Sequence, residues 1–544
     1  MEFSKSILKL YMLIFICVIT TTSIVMATEP NWSISFDKDV KWIKLTETGH
    51  LIVSTDEGLV GLNPEDGTIM WKDENLKGLE QEFFEIIPLT QYATINKGKG
   101  FMGTQNRMTV IDFVTGEEKW NSDALNIQSS LGQFIIPEKH ALFIHGADKD
   151  RKQYPRLVNL EDGSLIWENK DFFKKRDPKM FKLSGMKLSL AGNQGPLVDT
   201  DESMITCMNG KAIRKWDLNT GQMIWETELK ELHGAPPASY YGYASFLFDE
   251  ENSIIYVPAV KSLYAVNTKD GSLVWGKKPA KLDGMPYQTL LLDEGILVKG
   301  GPNSAGKAGK PYMMLLDVAT GEHKWKKKFD KLKQSSRFVV KENSAYVYAD
   351  KKIYKIDIAT GSYEELAKDV KFEGKEIPSS LRITDDGFLL TSSQNVMMVG
   401  FDGSQKFHTY HKAPGSGLFA KIASTAVMTA VNVGSAASAY SRAQTNAHRS
   451  GTGYGSASYS LMTSNPYMSK RFKATKNADN YSYMLGDIKV DGEKGPGIAK
   501  VNKQTGETEK KIILKDKKPV YEVDSIESKL FYVKDKKTIN CYIL

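Results

Sequence analysis

A chain of 544 residues that is 41% apolar, 25% charged and 10% aromatic has the composition of a folded protein with a sizeable core. Its 72 Lys+Arg against 65 Asp+Glu leave +7, a small excess spread along the chain without a basic patch or stripe, which excludes nucleic acid as the expected partner. Three cysteines in this length exclude a disulfide framework.

The first 27 residues read as a secretory signal peptide. Lys5 and Lys9 give a positive start, Leu10 to Ile19 is apolar apart from the Tyr11 hydroxyl, and Val25-Met26-Ala27 fits a cleavage site. The uncharged run is also long enough for an uncleaved N-terminal anchor. Cys17 is preceded by Ile16 where lipidation needs a small residue, so lipidation there is excluded. The mature chain, 28–544, keeps Cys207 and Cys541 in apolar strand-like runs, where buried free thiols are expected.

From residue 63 onward one pattern recurs: Asn or Asp, two residues, Asp or Thr, Gly, three residues, Trp. It pairs Gly67 with Trp71, Gly116 with Trp120, Gly163 with Trp167, Gly221 with Trp225, Gly271 with Trp275 and Gly321 with Trp325. Weaker copies follow: Gly361 with Glu365 in the Trp slot, Gly403 with Phe407, and Gly506 with Lys510. The period, about 49 residues, lies in the range of propeller blades and solenoid units. Apolar β-prone runs flank each turn, as in Leu263 to Val266 and Ser272 to Trp275, which predicts a β-hairpin. The Asn or Asp side chain accepts from the backbone two residues on, and Gly supplies positive φ. A further pair of short runs before each hairpin makes four strands per unit, the content of a blade. The Trp falls on the outer strand, filling the gap between blades and requiring a partner for its N–H. Trp32, Trp42 and Trp216 fall outside the slot and are read as packing, with the central channel as the alternative for Trp216.

The chain ends in an inner-type strand, Thr538 to Leu544, and the mature N-terminus opens with an outer-type strand, Trp32 to Phe36. Pairing the two would close a ring and leave no free blade edge. The predicted fold is therefore all-β: a single β-propeller of eight to ten four-stranded blades, with a helix-and-loop insertion late in the chain.

These hairpins resemble the tryptophan-docking repeat of the pyrroloquinoline quinone (PQQ) family of propellers. The family holds calcium- and PQQ-dependent dehydrogenases. It also has non-enzymatic members, such as the propeller lipoprotein of the outer-membrane β-barrel assembly machinery. Its alcohol dehydrogenases cover the quinone with a disulfide between adjacent cysteines, and no Cys-Cys pair occurs here. The acidic runs Asp199 to Glu202 and Asp148 to Asp150 lack the spacing of a calcium loop. There is no Cys-x-x-Cys-His motif for haem attachment. Eight histidines are scattered, His408 and His411 being the closest pair, without a third ligand nearby in sequence. No catalytic, cofactor-binding or metal-binding residue is assigned, and no cofactor is expected.

Residues 418–470 are rich in Ala, Ser, Gly, Thr and Tyr and contain no acidic residue. Ile422 to Ser441 carries no charge and suits close helix packing, so 418–441 is a candidate for membrane contact. Arg442 to Tyr459 reads as a loop. The insertion is either a surface excursion or a docking element. The lysine runs Lys324 to Lys328 and Lys510 to Lys518 read as solvated strand ends that discourage edge pairing. Together these features predict an exported, non-catalytic binding or assembly scaffold of a bacterial envelope, secreted or periplasmic, with a protein or envelope assembly as partner. The alternatives are an atypical quinoprotein dehydrogenase and a propeller that binds a small ligand or ion in its channel.

Overall fold

A computed structural model describes residues 29–99, 105–127, 129–148, 150, 152–170, 181–183, 186–188, 194–208, 212–229, 246–259, 261–301, 311–328, 335–414, 471, 480–516 and 518–544. The chain forms a ten-bladed β-propeller, the upper end of the predicted range. Nine blades are four-stranded antiparallel sheets in chain order, and blade 9 has three strands among the described residues. Blade 1 runs from Val40–Leu45 to Ile69–Asp73, blade 2 from Phe84–Ile86 to Glu118–Asn121, and blade 3 from Ser129–Ile136 to Leu165–Glu168. Blade 4 runs from Gln194–Thr200 to Met223–Glu228, blade 5 from Leu247–Asp249 to Ala280–Lys281, and blade 6 from Met285–Leu292 to His323–Lys328. Blade 7 begins at Val339–Lys341, blade 8 at Ser380–Ile383 and blade 9 at Tyr481–Val490. The short hairpin Phe181–Leu183 with Met186–Leu188 stands outside the blades, between blades 3 and 4.

Burial follows from the sheet geometry. The middle strands, packed on both faces by neighbouring blades, include continuous apolar runs such as Gly58–Leu62 and Tyr312–Leu316, buried along their whole length. The outer strands are buried on one side only. The core is accordingly a series of inter-blade clusters rather than one central core, for example Leu297, Met313 and Trp325 of blade 6 with Val347, Tyr354 and Ile356 of blade 7.

Blade 10 closes the ring as the sequence predicts. Its strands Val520–Asp524, Lys529–Lys534 and Thr538–Ile543 are completed by Trp32–Ser35 from the other end of the chain. The register pairs Trp32 with Cys541, Ser33 with Asn540, Ile34 with Ile539 and Ser35 with Thr538, and Ser33 Oγ donates to Asn540 Oδ1 at 2.8 Å. Phe531, Val533, Ile539 and Cys541 then pack with Trp32, Ile43 and Leu45 across the seam to blade 1. Cys541 is a buried free thiol whose pKa burial pushes up to about 12. The side chain of Cys207 and the insertion 418–470 lie outside the described residues, as does the signal segment 1–27.

Two polar features sit at this seam. The buried Arg471 guanidinium bonds both oxygens of Asp524 at 2.6 and 3.1 Å and the Glu47 carbonyl at 3.0 Å, tying blade 10 to blade 1. Glu522, on the innermost strand of blade 10, is 1% exposed, and its Oε2 has no hydrogen-bond partner among the described residues. Burial raises its pKa to about 8, against the pull of Lys44.

Two predictions follow from the seam. Trp32→Ala should lower unfolding stability by about 3–5 kcal/mol, as buried Trp truncations do, in a urea titration of the whole chain. Glu522 stays protonated in the fold up to about 8 but ionises near 4.5 when unfolded. Stability should therefore fall as pH rises between those values, and Glu522→Gln should remove Glu522's share of that slope, the shares of Glu47 and Glu138, each raised to about 7, remaining. The melting-temperature gain of the variant over the parent should grow from pH 4 to pH 8; a gain that does not change with pH would contradict this.

Candidate interaction face

The first-to-second and third-to-fourth strand turns of a blade lie at the same end of the sheet, because antiparallel strands alternate in direction. Backbone bonds hold the two turns together: Phe113 N donates to Gln91 O, Leu160 N to His140 O, Leu218 N to Glu202 O and Thr268 N to Ser253 O. The third-to-fourth turn is the repeat motif. In Asn159 to Gly163 the Asn159 Oδ1 accepts from Glu161 N at 2.8 Å, Gly163 N donates to Asn159 O at 3.0 Å, and Gly163 has φ +69°.

Each Trp then docks on the following blade's turn. Trp71 Nε1 donates to Phe113 O at 3.0 Å, Trp120 to Leu160 O at 2.8 Å and Trp167 to Leu218 O at 2.8 Å. Trp225 donates to Thr268 O at 3.0 Å, Trp275 to Val318 O at 2.8 Å and Trp325 to Ile358 O at 2.7 Å. The indole rings lie against Gly116, Gly163, Gly221, Gly271, Gly321 and Gly361 in turn, so closely that a methyl on Gly116 would fall 2.5 Å from Trp71 Cδ2. Ten of the twelve Gly and Trp residues singled out in the sequence are thus paired between blades, each Trp on the Gly of the next copy rather than its own, while Trp325 lies on Gly361.

The weaker copies have physical reasons. Phe407 fills the slot and lies on Gly506. Blade 7 has Glu365 there, and the shortened blade 8 turn brings Gly403 against the backbone of Leu366 instead. Blade 10 joins its last two strands across the ring closure and not through a turn, so blade 9 has no turn glycine to cover and carries Lys510. Trp32 is a seventh docking residue that the sequence pattern missed: its Nε1 donates to Pro64 O at 3.1 Å, and its ring covers Gly67. The missed signal was the outer-strand character of its own segment. Trp42 and Trp216 are packing residues. Trp42 donates to Leu79 O at 2.6 Å, and Trp216, 1% exposed, donates to Thr206 Oγ1 at 2.8 Å inside a cluster with Trp167 and Phe143, not into the channel.

Of the polar clusters noted in the sequence, Asp199, Asp148 and the two histidines are committed internally, while Asp201 and Glu202 stay exposed. Asp199 pairs with Lys215 at 2.7 Å and accepts from Ser203, while Asp148 accepts the backbone N–H of Asp150 and Lys152. His408 bonds Asn395 Oδ1 and stacks on Phe372, whereas His411 bonds Thr508 Oγ1, so the two rings serve different partners. Burial lowers the pKa of both. Among the described residues no group of three His, Cys, Asp or Glu side chains is placed to hold a metal ion, and no helix is long and apolar enough to cross a membrane.

The turn-bearing face has a charge that the chain-wide average hides. Acidic doublets recur on it: Glu65-Asp66, Glu161-Asp162, Asp201-Glu202, Glu250-Glu251, Asp293-Glu294 and Asp385-Asp386. The lysines these described turns carry are Lys139, Lys269 and Lys503. The turn geometry needs one Asn or Asp, and Asn serves at Asn63, Asn159, Asn267 and Asn502, so the neighbouring Glu residues are surplus to it. The amide and hydroxyl of Thr68 hold Asp66 below the usual carboxylate range, and Thr360 does the same for Asp357. With an overall charge of +7, the remainder of the molecule is correspondingly basic. Lys277, Lys278, Lys327, Lys515 and Lys536 are among the residues at the other ends of the strands.

The family description "EMC1 N-terminal beta-propeller domain" matches residues 192–481, just over half of the chain. The chain belongs to the EMC1 N-terminal beta-propeller domain family. No curated protein sequence matches it. Among solved structures it is similar to BamB from Moraxella catarrhalis, at 13% identity and TM-score 0.35 over 70% of this chain and 100% of that one. It is similar also to Sqt1 from Saccharomyces cerevisiae, at 11% and 0.34 over 71% and 100%. A third is the quinohemoprotein alcohol dehydrogenase ADHIIG from Pseudomonas putida HK5, at 10% and 0.31 over 74% and 81%. At such identities and TM-scores these likenesses carry no argument about what the chain does.

Docking in this EMC1-type propeller is testable at one joint. Trp167→Phe keeps the apolar contact but loses the bond to Leu218 O, and should cost about 1–2 kcal/mol in urea unfolding. Gly221→Ala places a methyl inside the Trp167 ring at φ +68° and should cost more than the Phe variant.

Proposed function

We propose that the protein is a non-catalytic binding scaffold, exported by residues 1–27 and acting in the cell envelope, where its partner is a protein or an envelope assembly. The family and the closed ring support a binding role in general. The observation that favours this reading is the ring itself: docked blades present a fixed, continuous face of turns whose charge is sorted by side. A rigid surface of one dominant sign steers association and suppresses wrong partners. Asp199, Asp148, His408 and His411, the groups of the sequence that most suggested a site, are engaged in an ion pair, a turn and hydrogen bonds, which serves rigidity.

The test is a titration of the purified mature protein with PQQ, with and without Ca²⁺, followed by dye reduction with simple alcohols and sugars. The scaffold reading expects neither saturable binding nor turnover. Calcium-dependent binding with turnover would overturn it in favour of a quinoprotein dehydrogenase.

A further inference from the structure

The outer strands of most blades begin with two residues that precede the docking Trp. In blades 3 and 4 these are large, apolar and exposed: Leu165 45%, Ile166 41%, Met223 48% and Ile224 50%; in blade 5 the fourth strand is the later Ala280–Lys281, and ahead of Trp275 Val274 is 38% exposed while Leu273 is partly buried against the core. Trp docking sets them on successive blades along the same rim of the ring. Ile166 precedes Trp167, whose ring lies on Gly221, and Gly221 stands two residues before Met223. Ile224 precedes Trp225, whose ring lies on Gly271, three residues before Val274. The stripe has ends. Blade 2 carries exposed Glu118 and Lys119 at the same positions, and blade 6 carries His323 and Lys324. Solvent-exposed apolar side chains are ordinary when scattered singly, whereas a contiguous run rimmed by charge marks a contact surface.

The rim is acidic. Each stripe segment starts a few residues after a turn carboxylate, Asp162 in blade 3, Asp217 in blade 4 and Asp270 in blade 5, with Glu161 beside the first. The adjoining first-to-second turns of blades 4 and 5 add Asp201-Glu202 and Glu250-Glu251. Of the two lysines on this sector, Lys139 spends its ammonium on Asn219 Oδ1 at 2.9 Å. Beneath the stripe the surface is stiff: Arg214 of the third strand in blade 4 bonds Glu226 of the outer strand at 2.7 Å.

We propose that this stripe is a docking surface for a cationic amphipathic protein segment, one in which lysine or arginine alternates with large aliphatic residues. The aliphatic side chains cover Leu165, Ile166, Met223, Ile224 and Val274 while the basic ones reach the turn carboxylates. This deepens the scaffold reading and rests on it. A purely basic partner would leave the apolar stripe in water, and a purely apolar one would strip water from the carboxylates without pairing them.

The test uses the full mature chain and a short peptide of alternating lysine and leucine, with lysine–serine and glutamate–leucine peptides as comparisons. The lysine–leucine peptide should bind saturably, weaken as salt rises through the physiological range, and outcompete both comparisons. A chain carrying Leu165→Ser, Ile166→Ser, Met223→Ser and Ile224→Ser should bind at least about tenfold more weakly, since several exposed apolar contacts are lost at once. The pair Ile69→Ser and Met70→Ser, at the corresponding positions of blade 1, should leave binding unchanged. A photoreactive leucine analogue in the peptide should label blades 3–5, which tests the site in the parent chain without relying on the variants. Absence of binding, equal binding by the four-serine chain, or labelling elsewhere would overturn the proposal. Binding that emerges only after deletion of 418–470 would also overturn it, making that segment of the chain the occupant. Turnover with PQQ would instead remove the scaffold reading itself, so the two failures are distinguishable.

Discussion

The Trp167 indole lies flat against the backbone of the next blade's turn, where Gly221 offers no side chain and Leu218 offers a carbonyl to the ring N–H. Three requirements meet at that contact. The turn must adopt positive φ, which Gly accepts without the strain a Cβ would bring. The approach must be closer than a Cβ would permit, and the indole N–H must find an acceptor once buried. One residue type satisfies the first two and another the third, so the same pair recurs from blade to blade and fixes each blade's position on its neighbour. The inter-blade clusters are packed behind these contacts, and the ring stays closed because Trp32 makes the same contact across the seam.

Because every blade is held in one orientation, anything that the repeat places in its turns is collected on one face. This is how a chain with a small and evenly distributed net charge comes to have an acidic side. The turn chemistry alone demands an acceptor at one position, and carboxylates beyond that demand change the electrostatics rather than the fold. The same registration lines up the residues just ahead of each Trp. Exposed apolar residues of three successive blades are consequently brought to one rim, although about fifty residues separate them in sequence.

Much of the architecture was legible in the chain. Gly67 to Gly321 with their tryptophans announced the hairpins, and the inner-type strand at Thr538 with the outer-type strand at Trp32 announced the closure. The role of Trp32 was hidden because its own turn is split between the two ends of the chain, so it lacks the Gly four residues before it that marks the others. Glu365 and Lys510 read as decay of the repeat, but only the structure shows that a shortened turn in blade 8 and the absence of one in blade 10 make a Trp there unnecessary. The sorting of charge was not legible from composition, since it depends on which end of each strand a turn occupies. The Arg471 clamp was likewise out of reach, because Asp524 is fifty-three residues away in sequence and Glu47 lies at the other end of the chain.

Strand Trp32–Ser35 completes blade 10 and so makes ten blades one closed ring. The most direct test of that closure is the double variant Ser33→Cys, Asn540→Cys, since these residues are Cα partners in the closing sheet. The account predicts that the two thiols form an intramolecular disulfide under mild oxidation, identified as a single cross-linked peptide by mass spectrometry. Thiols that stay unpaired, or that pair only between molecules, would contradict it.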